Sequence, residues 1–356
     1  MNLKSLAFEE WEAQLAPLAV SATAVRKLFA AVFAHGAMDL GALRDVPQVP
    51  ARLRDHVLAH GSLKSLHVLE RRRAADGFVK YLFTSEAGGR FEAVRIPLFG
   101  EKYVVCVSSQ VGCALACDFC ATGQLGFQRN LATWEMVDQV MRIRAEADRP
   151  VRGVVFMGMG EPLLNPTEVL RAARILSHPA GLAISARAIS LSTAGVVPAI
   201  HRYVQEGHPY RLVFSLTSAI PEKRRRVMPV EGTHSLGELV SAIRSYAEVR
   251  RERAMLAYVL ISGFNTGRED AEALAEVFRG IPIKLDLIDV TDPSGRYQPP
   301  GAEELAQFRD HLQVLGAPVA RRYSGGKEIQ AACGTLAATS CGGELLPRPD
   351  VPQYAS

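Results

Sequence analysis

Apolar residues recur at three- and four-residue intervals from Phe8 to Leu15 and again from Ala24 to Phe33, and Pro47 and Pro50 break the rhythm. Spacing of that kind lays one apolar stripe along a helix, so residues 1–60 are expected to form a small helical domain. The pattern then shifts to short runs, Leu66 to Leu69, Phe78 to Phe83 and Phe91 to Ile96, separated by polar and glycine turns. Residues 61–100 therefore read as a strand-rich linker folded into a small antiparallel sheet.

From Tyr103 the texture changes again. Apolar runs of strand length occur at 103–107, 153–157, 188–191, 212–216, 256–261 and 284–288. They alternate with helix-like segments at 133–146, 166–176, 196–205, 236–249, 270–278 and 303–315. Strands apolar at nearly every position are buried on both faces, which predicts a parallel sheet covered by helices. The fold class is α/β, with a partial (β/α)6 barrel over residues 101–340. In such architectures chemistry collects at the carboxyl ends of the strands. Residues 341–356, with Pro347, Pro349 and Pro352, read as a loose tail.

Composition narrows the class. With 356 residues, 48% of them hydrophobic and 22% charged, the chain can bury a large core and is not a disordered protein. Six cysteines are too few for a disulfide scaffold. With no signal-like start and no long apolar run, a soluble cytoplasmic protein without a membrane span is expected. The net charge of +4 permits an RNA partner without demanding one. The basic runs at 71–73, 223–226, 250–251 and 321–322 each read as a solvated face.

Cys113, Cys117 and Cys120 crowd the loop after the first barrel strand. Three thiolates at that spacing can hold three corners of a [4Fe–4S] cube and leave the fourth iron open for chemistry. A structural zinc site would more commonly pair its cysteines with a second cysteine pair, and none is visible. The loop after the second strand, Phe156 to Asn165, contains Gly158 and Gly160, which let backbone approach a ligand closely. Ser192 and Ser215 fall at the ends of the third and fourth strands, where hydroxyls could serve a ribose or a carboxylate.

The stretch from Cys106 through Cys120, with Gly123 to Leu131 after it, resembles the RlmN/Cfr group of radical S-adenosylmethionine (SAM) RNA methyltransferases, the dual-specificity adenine-C2 type. The resemblance extends through Met157 to Asn165, Leu191 to Ala199 and Ala331 to Leu336, in family order and over nearly the whole chain. It implies a radical-SAM barrel with the cluster on Cys113, Cys117 and Cys120. It also implies two SAM molecules per methylation, with Gly160, Glu161, Ser192, Ser215, Leu216, Thr217 and Thr291 around the cofactor. In the family the position of Cys333 is methylated first, and a 5′-deoxyadenosyl radical then activates that methyl so that its carbon adds to an adenine. Glu92 matches the proton acceptor. Cys106 matches the second sulfur, which displaces Cys333 and leaves a Cys106–Cys333 disulfide for cellular thiols to reduce. The implied partners are ribosomal or transfer RNA and an external electron donor such as a flavodoxin-type reductant, with the chain a monomer and its N-terminal helices a possible RNA grip. Cys341 matches nothing in the family pattern and reads as structural.

Two departures stand out. Thr217 occupies the place of a family histidine, and the asparagine that meets the cofactor falls on Thr291, or on Asp292 with a one-residue shift. They motivate a second reading, a radical SAM enzyme acting on a peptide or small metabolite. A third, from another class, is a non-catalytic RNA-binding protein with zinc on its cysteines.

Overall fold

The computed structural model describes residues 1–98, 101–292 and 294–337; Cys341 and the tail at 341–356 lie outside the described residues. The N-terminal segment folds into helices α1 (Phe8–Leu15), α2 (Ala22–Phe33) and α3 (Ala51–His60). Ser21 starts α2 by accepting the Ala24 amide at 3.3 Å, which satisfies one of the orphan donors of a helix start. Trp11, Phe29 and Phe33 are fully buried between α1 and α2.

Strands β1 (His67–Arg73), β2 (Val79–Thr84) and β3 (Arg90–Leu98) form an antiparallel meander. It does not stand apart as a separate small sheet. β3 pairs antiparallel with β4 (Lys102–Cys106), the first barrel strand, so the meander extends the barrel sheet to ten strands. After β4 come the short strands β5 (Gln110–Gly112) and β6 (Phe127–Asn130), which pair with each other around the cysteine loop and the turn of helix α4 (Ala121–Gln124). The rest alternates: α5 (Thr133–Ala145), β7 (Val151–Phe156), α6 (Pro166–Ser177), β8 (Ile189–Thr193), α7 (Val197–Glu206), β9 (Arg211–Ser215), α8 (Pro221–Val227), α9 (Leu236–Arg250), β10 (Ala254–Leu260), α10 (Arg268–Val277), β11 (Ile283–Asp289), α11 (Ala302–His311) and β12 (Val319–Arg321).

The sheet order is β1-β2-β3-β4-β7-β8-β9-β10-β11-β12, and every pairing from β4 to β12 is parallel. The six expected parallel strands are all present. A seventh, β12, was not expected, because three half-exposed residues carry no apolar signature. Helices cover the sheet with the stripes their sequences lay out, as in α7, where Val197, Ile200 and Tyr203 are buried.

The N-terminal helices share the barrel's core. Phe8 stacks on His178, just beyond α6, with ring centres 4.6 Å apart. Lys4 and Asp138 of α5 form a fully buried ion pair at 2.6 Å, and Asp138 also accepts the Leu66 amide at 2.7 Å. A carboxylate so satisfied ties residue 4, the linker and the first barrel helix into one block.

Candidate functional site

The parallel strands present their carboxyl ends on one rim, and the loops leaving β4, β7, β8 and β11 meet there. A cavity of ≈ 170 Å³ on that rim is lined by Cys113, Cys117, Cys120, Gly160, Glu161, Ser192, Ser215, Thr291 and Cys333. A second cavity of ≈ 340 Å³ adjoins it and is lined by Cys106, Cys120, Cys333 and Arg322. The two share Cys120, Met157, Arg322 and Cys333. Residues more than two hundred positions apart thus face one continuous space.

Hydrogen bonds hold the rim together. Gly160 has φ +98°, and a Cβ there would lie 2.6 Å from Cβ of Gln110, so only glycine fits. That close approach lets Gln110 Oε1 accept the Glu161 amide at 2.9 Å. Asn165 donates to the carbonyls of Ser109 at 3.0 Å and Leu131 at 2.8 Å, bracing the cysteine-bearing segment against the glycine loop. Ser108 Oγ accepts the Met159 amide at 2.8 Å and donates to the Glu92 carbonyl.

Glu161 is buried on the cavity wall. Its carboxylate accepts the amides of Leu163 at 3.0 Å and Ala194 at 2.8 Å. Burial pushes its carboxyl up to about 7, and those amides pull the other way without cancelling it. Between 4.5 and about 7 the unfolded chain has lost this proton while the folded chain keeps it, so this group's contribution to stability falls as pH rises through that window. Glu161→Gln is expected to remove that part of the fall. Urea unfolding of the iron-free protein at pH 5 and pH 8 checks it, and an unchanged pH dependence in the variant would contradict it.

Cys113, Cys117 and Cys120, the candidate metal ligands, line one cavity. Burial raises the thiols of Cys113, to about 12, and of Cys117 and Cys120, and the charges of Cys113 and Cys120 raise Cys117 further. Crowded, dry thiols hold their protons until a metal cation displaces them. Among the described residues no three His, Cys, Asp or Glu side chains form a ligand set for a single ion. The polar wall fits a polar cofactor. Ser192 and Ser215 Oγ stand 3.1 Å apart, and Thr291 Oγ1 and Asp289 Oδ1 are buried without hydrogen-bond partners among the described residues. Thr291, not Asp292, lines the cavity. The Asp292 carboxylate is taken up by the amides of Ser294 at 2.9 Å and Tyr297 at 3.1 Å.

Not every expected site residue stands on a cavity wall. Leu216 and Thr217 lie behind Ser215 and do not line either cavity. The Leu216 amide donates to Ala257 at 2.9 Å and turns the chain into the core. Thr217 has φ +60°, a strained conformation for a β-branched residue, and its carbonyl is held by Asn265 at 2.7 Å. Glu92 lies on β3, away from both cavities. It is fully buried, 2.9 Å from Lys80 Nζ, and it accepts the amide of Ala337 at 3.0 Å, so it anchors the segment that carries Cys333. Cys106 and Cys333 are both free thiols, the reduced form in which each would enter a reaction cycle. Burial raises both, Cys106 to about 12, and the Arg322 guanidinium opposes the rise at each.

Two residues of the basic runs belong to the site and not to a solvated face. Arg322 lines both cavities and is fixed by Asp286 at 2.7 Å. Arg224 is fully buried behind the rim, where it donates to the carbonyls of Ala194 at 2.6 Å and Leu216 at 2.5 Å. Nothing in the sequence marked Arg322, because the strand it follows, β12, carries no apolar pattern. Nothing in the run 223–226 singled out its second member.

The sequence profile of the Radical SAM superfamily matches residues 107–277. A probable RNA methyltransferase of Myxococcus xanthus is 70% identical, with 98% of each chain covered. The dual-specificity RNA methyltransferase RlmN of Syntrophobacter fumaroxidans is 40% identical over 88% of this chain and 91% of its own. The crystal structure of a radical SAM methyltransferase from Sphaerobacter thermophilus superposes with a TM-score of 0.87 at 35% identity, covering 95% of this chain and all of that one.

Proposed function

Since the chain belongs to the RlmN/Cfr-type radical SAM RNA methyltransferases, we propose that it methylates a ring carbon of adenine, C2, through a methyl group carried on Cys333. Family membership sets aside both the non-catalytic zinc reading and the peptide or metabolite reading. The observation that carries the proposal is the opening of the Cys333 thiol into both cavities, one walled by the three cluster cysteines and the other by Cys106.

Cys113, Cys117 and Cys120 would hold a [4Fe–4S] cluster, which, charged by a flavodoxin-type donor, supplies the electron that opens SAM and activates a methyl carbon. Gly160 and Glu161 would serve the amino end of that cofactor, and Ser192, Ser215 and Thr291 its carboxylate and ribose hydroxyls. Cys333 takes its methyl from another SAM molecule by nucleophilic displacement. The chemistry of the base requires this detour. An amidine carbon is not nucleophilic and cannot attack a sulfonium methyl, so the carbon must arrive from a sulfur held beside it. Glu92, which lines neither cavity while Lys80 and the Ala337 amide hold it, would take the ring proton by family match once those contacts open, and Cys106 attacks the Cys333 sulfur to free the RNA. Ribosomal or transfer RNA is the substrate, distinguished by mass mapping of modified nucleotides.

Anaerobically reconstituted protein given methyl-deuterated SAM without RNA is expected to gain one labelled methyl on the Cys333 peptide, and Cys333→Ser to gain none. Label that never appears at Cys333 refutes the carrier mechanism.

A further inference from the structure

We infer that Tyr323 is a stacking platform for an unpaired base of the RNA, and that the groove around it guides the strand across the mouth of the reaction cavity. The inference rests on the reading of Cys333 as the reaction centre. Tyr323 lies two residues past the end of β12 and is 73% exposed, a large aromatic ring offered to solvent. It is nevertheless held fast. Its hydroxyl donates to Asp76 at 2.9 Å, and its ring meets Phe78 edge-on with centres 6.1 Å apart. Asp76 also accepts the Gly326 amide at 2.8 Å. A Cβ on Gly325 would lie 2.4 Å from the Phe78 ring and 2.6 Å from the Tyr323 ring, so the loop is packed as closely as glycine allows. A locked, exposed ring loses little freedom when a flat partner settles on it.

Its position gives it a partner. The groove, ≈ 780 Å³ in volume, runs between the turn after β1 and the loop after β12, which are the two edges of the sheet. Arg322, Tyr323, Ser324 and Gly325 line both this groove and the cavity that holds Cys106 and Cys333. The acids in the groove are already engaged: Asp76 by Tyr323, Asp289 by Arg321 at 2.7 Å, and Glu328 by the Ala75 amide at 2.5 Å. Lys327 has no ion-pair partner among the described residues. One free cation beside one fixed aromatic ring matches the phosphate and base of a single-stranded nucleotide, the usual form in which RNA is read.

The test uses the iron–sulfur-loaded protein with two fluorescein-labelled probes, an octamer of riboadenylate and an octamer of the same backbone without bases. The wild type is expected to bind the base-bearing probe more tightly. Tyr323→Ala should weaken that probe by about tenfold and leave the abasic one unchanged, because stacking needs a base face. Tyr323→Phe should keep the preference, since it retains the ring and loses only the bond to Asp76. Lys327→Ala should lower the salt dependence of both probes by about 0.7 in logarithmic slope, one phosphate contact on a single strand. The inference is overturned if Tyr323→Ala weakens both probes alike or neither, if Tyr323→Phe behaves as Tyr323→Ala, or if the wild type binds neither probe. Methylation of Cys333 is read separately. A methylated Cys333 with no base preference removes the groove alone, and a base preference with an unmethylated Cys333 removes the carrier mechanism alone.

Discussion

Replacing Cys106 by alanine is expected to stop the protein after a single turnover, with RNA left covalently joined to Cys333. Cys106 ends β4, between Val94 of β3 and Val155 of β7, and opens into the cavity that Cys333 also lines. Once the carrier carbon has bonded to the base, release needs a second sulfur to attack the Cys333 sulfur: a sulfur–sulfur bond forms, the carbon–sulfur bond breaks, and the carbon departs with the base and takes up a proton to become its methyl group. Among the described residues the other free thiols in that space are Cys106 and Cys120, and Cys120 is the one proposed to hold the cluster. The variant should therefore form the adduct and fail to release it. Denaturing electrophoresis with labelled RNA shows the adduct as a shifted band, and nuclease followed by protease digestion places the residual nucleotide on the Cys333 peptide. A Cys106→Ala, Cys333→Ala double variant should give no band. Repeated release of methylated RNA by Cys106→Ala would show that another group performs the displacement.

The parallel strands were legible in the sequence because burial on both faces leaves a continuous apolar run, and the cysteine loop because metal-ligand spacing is local. What escaped depends on the third dimension. β12 is too short and too exposed to carry a pattern. The meander of β1 to β3 looks the same in sequence whether it stands alone or extends the barrel sheet, since the alternation of one strand does not name its neighbour. The encounter of Cys106 with Cys333 is set by sheet order, and only the family resemblance hinted at it. Leu216 and Thr217 were carried over with Ser215 as a contiguous motif, but the chain turns inward after β9 and takes them off the wall. Charged residues were the hardest. A run of four basic residues reads as solvated, yet its second member is the one that points inward.

Arg224→Met is expected to lower the unfolding free energy by about 3–5 kcal/mol, the cost of leaving a buried partner charge uncompensated. Arg224 leaves α8 fully buried, and its Nε donates to Glu231 at 2.9 Å, with neither side chain reaching water. The other end of the guanidinium bonds three backbone carbonyls, those of Ala194 at 2.6 Å, Leu216 at 2.5 Å and Ser215 at 3.2 Å. It therefore clips the loop after β8 to the end of β9. The Ala194 amide in turn holds Glu161, and Ser215 faces Ser192 across the cavity. Lysine offers three donors at one point where arginine spreads five over a rigid fork, so Arg224→Lys should recover only part of the loss. Replacing both charges, as in Arg224→Met with Glu231→Leu, should restore much of the stability, because the stranded carboxylate is gone. It should not restore cofactor affinity, because the carbonyls of Ala194 and Ser215 stay unclipped. Urea unfolding and equilibrium dialysis of SAM separate the two effects. If the double variant regains affinity together with stability, Arg224 serves the fold alone, and its place behind Ser192, Ser215 and Glu161 has no bearing on the cofactor.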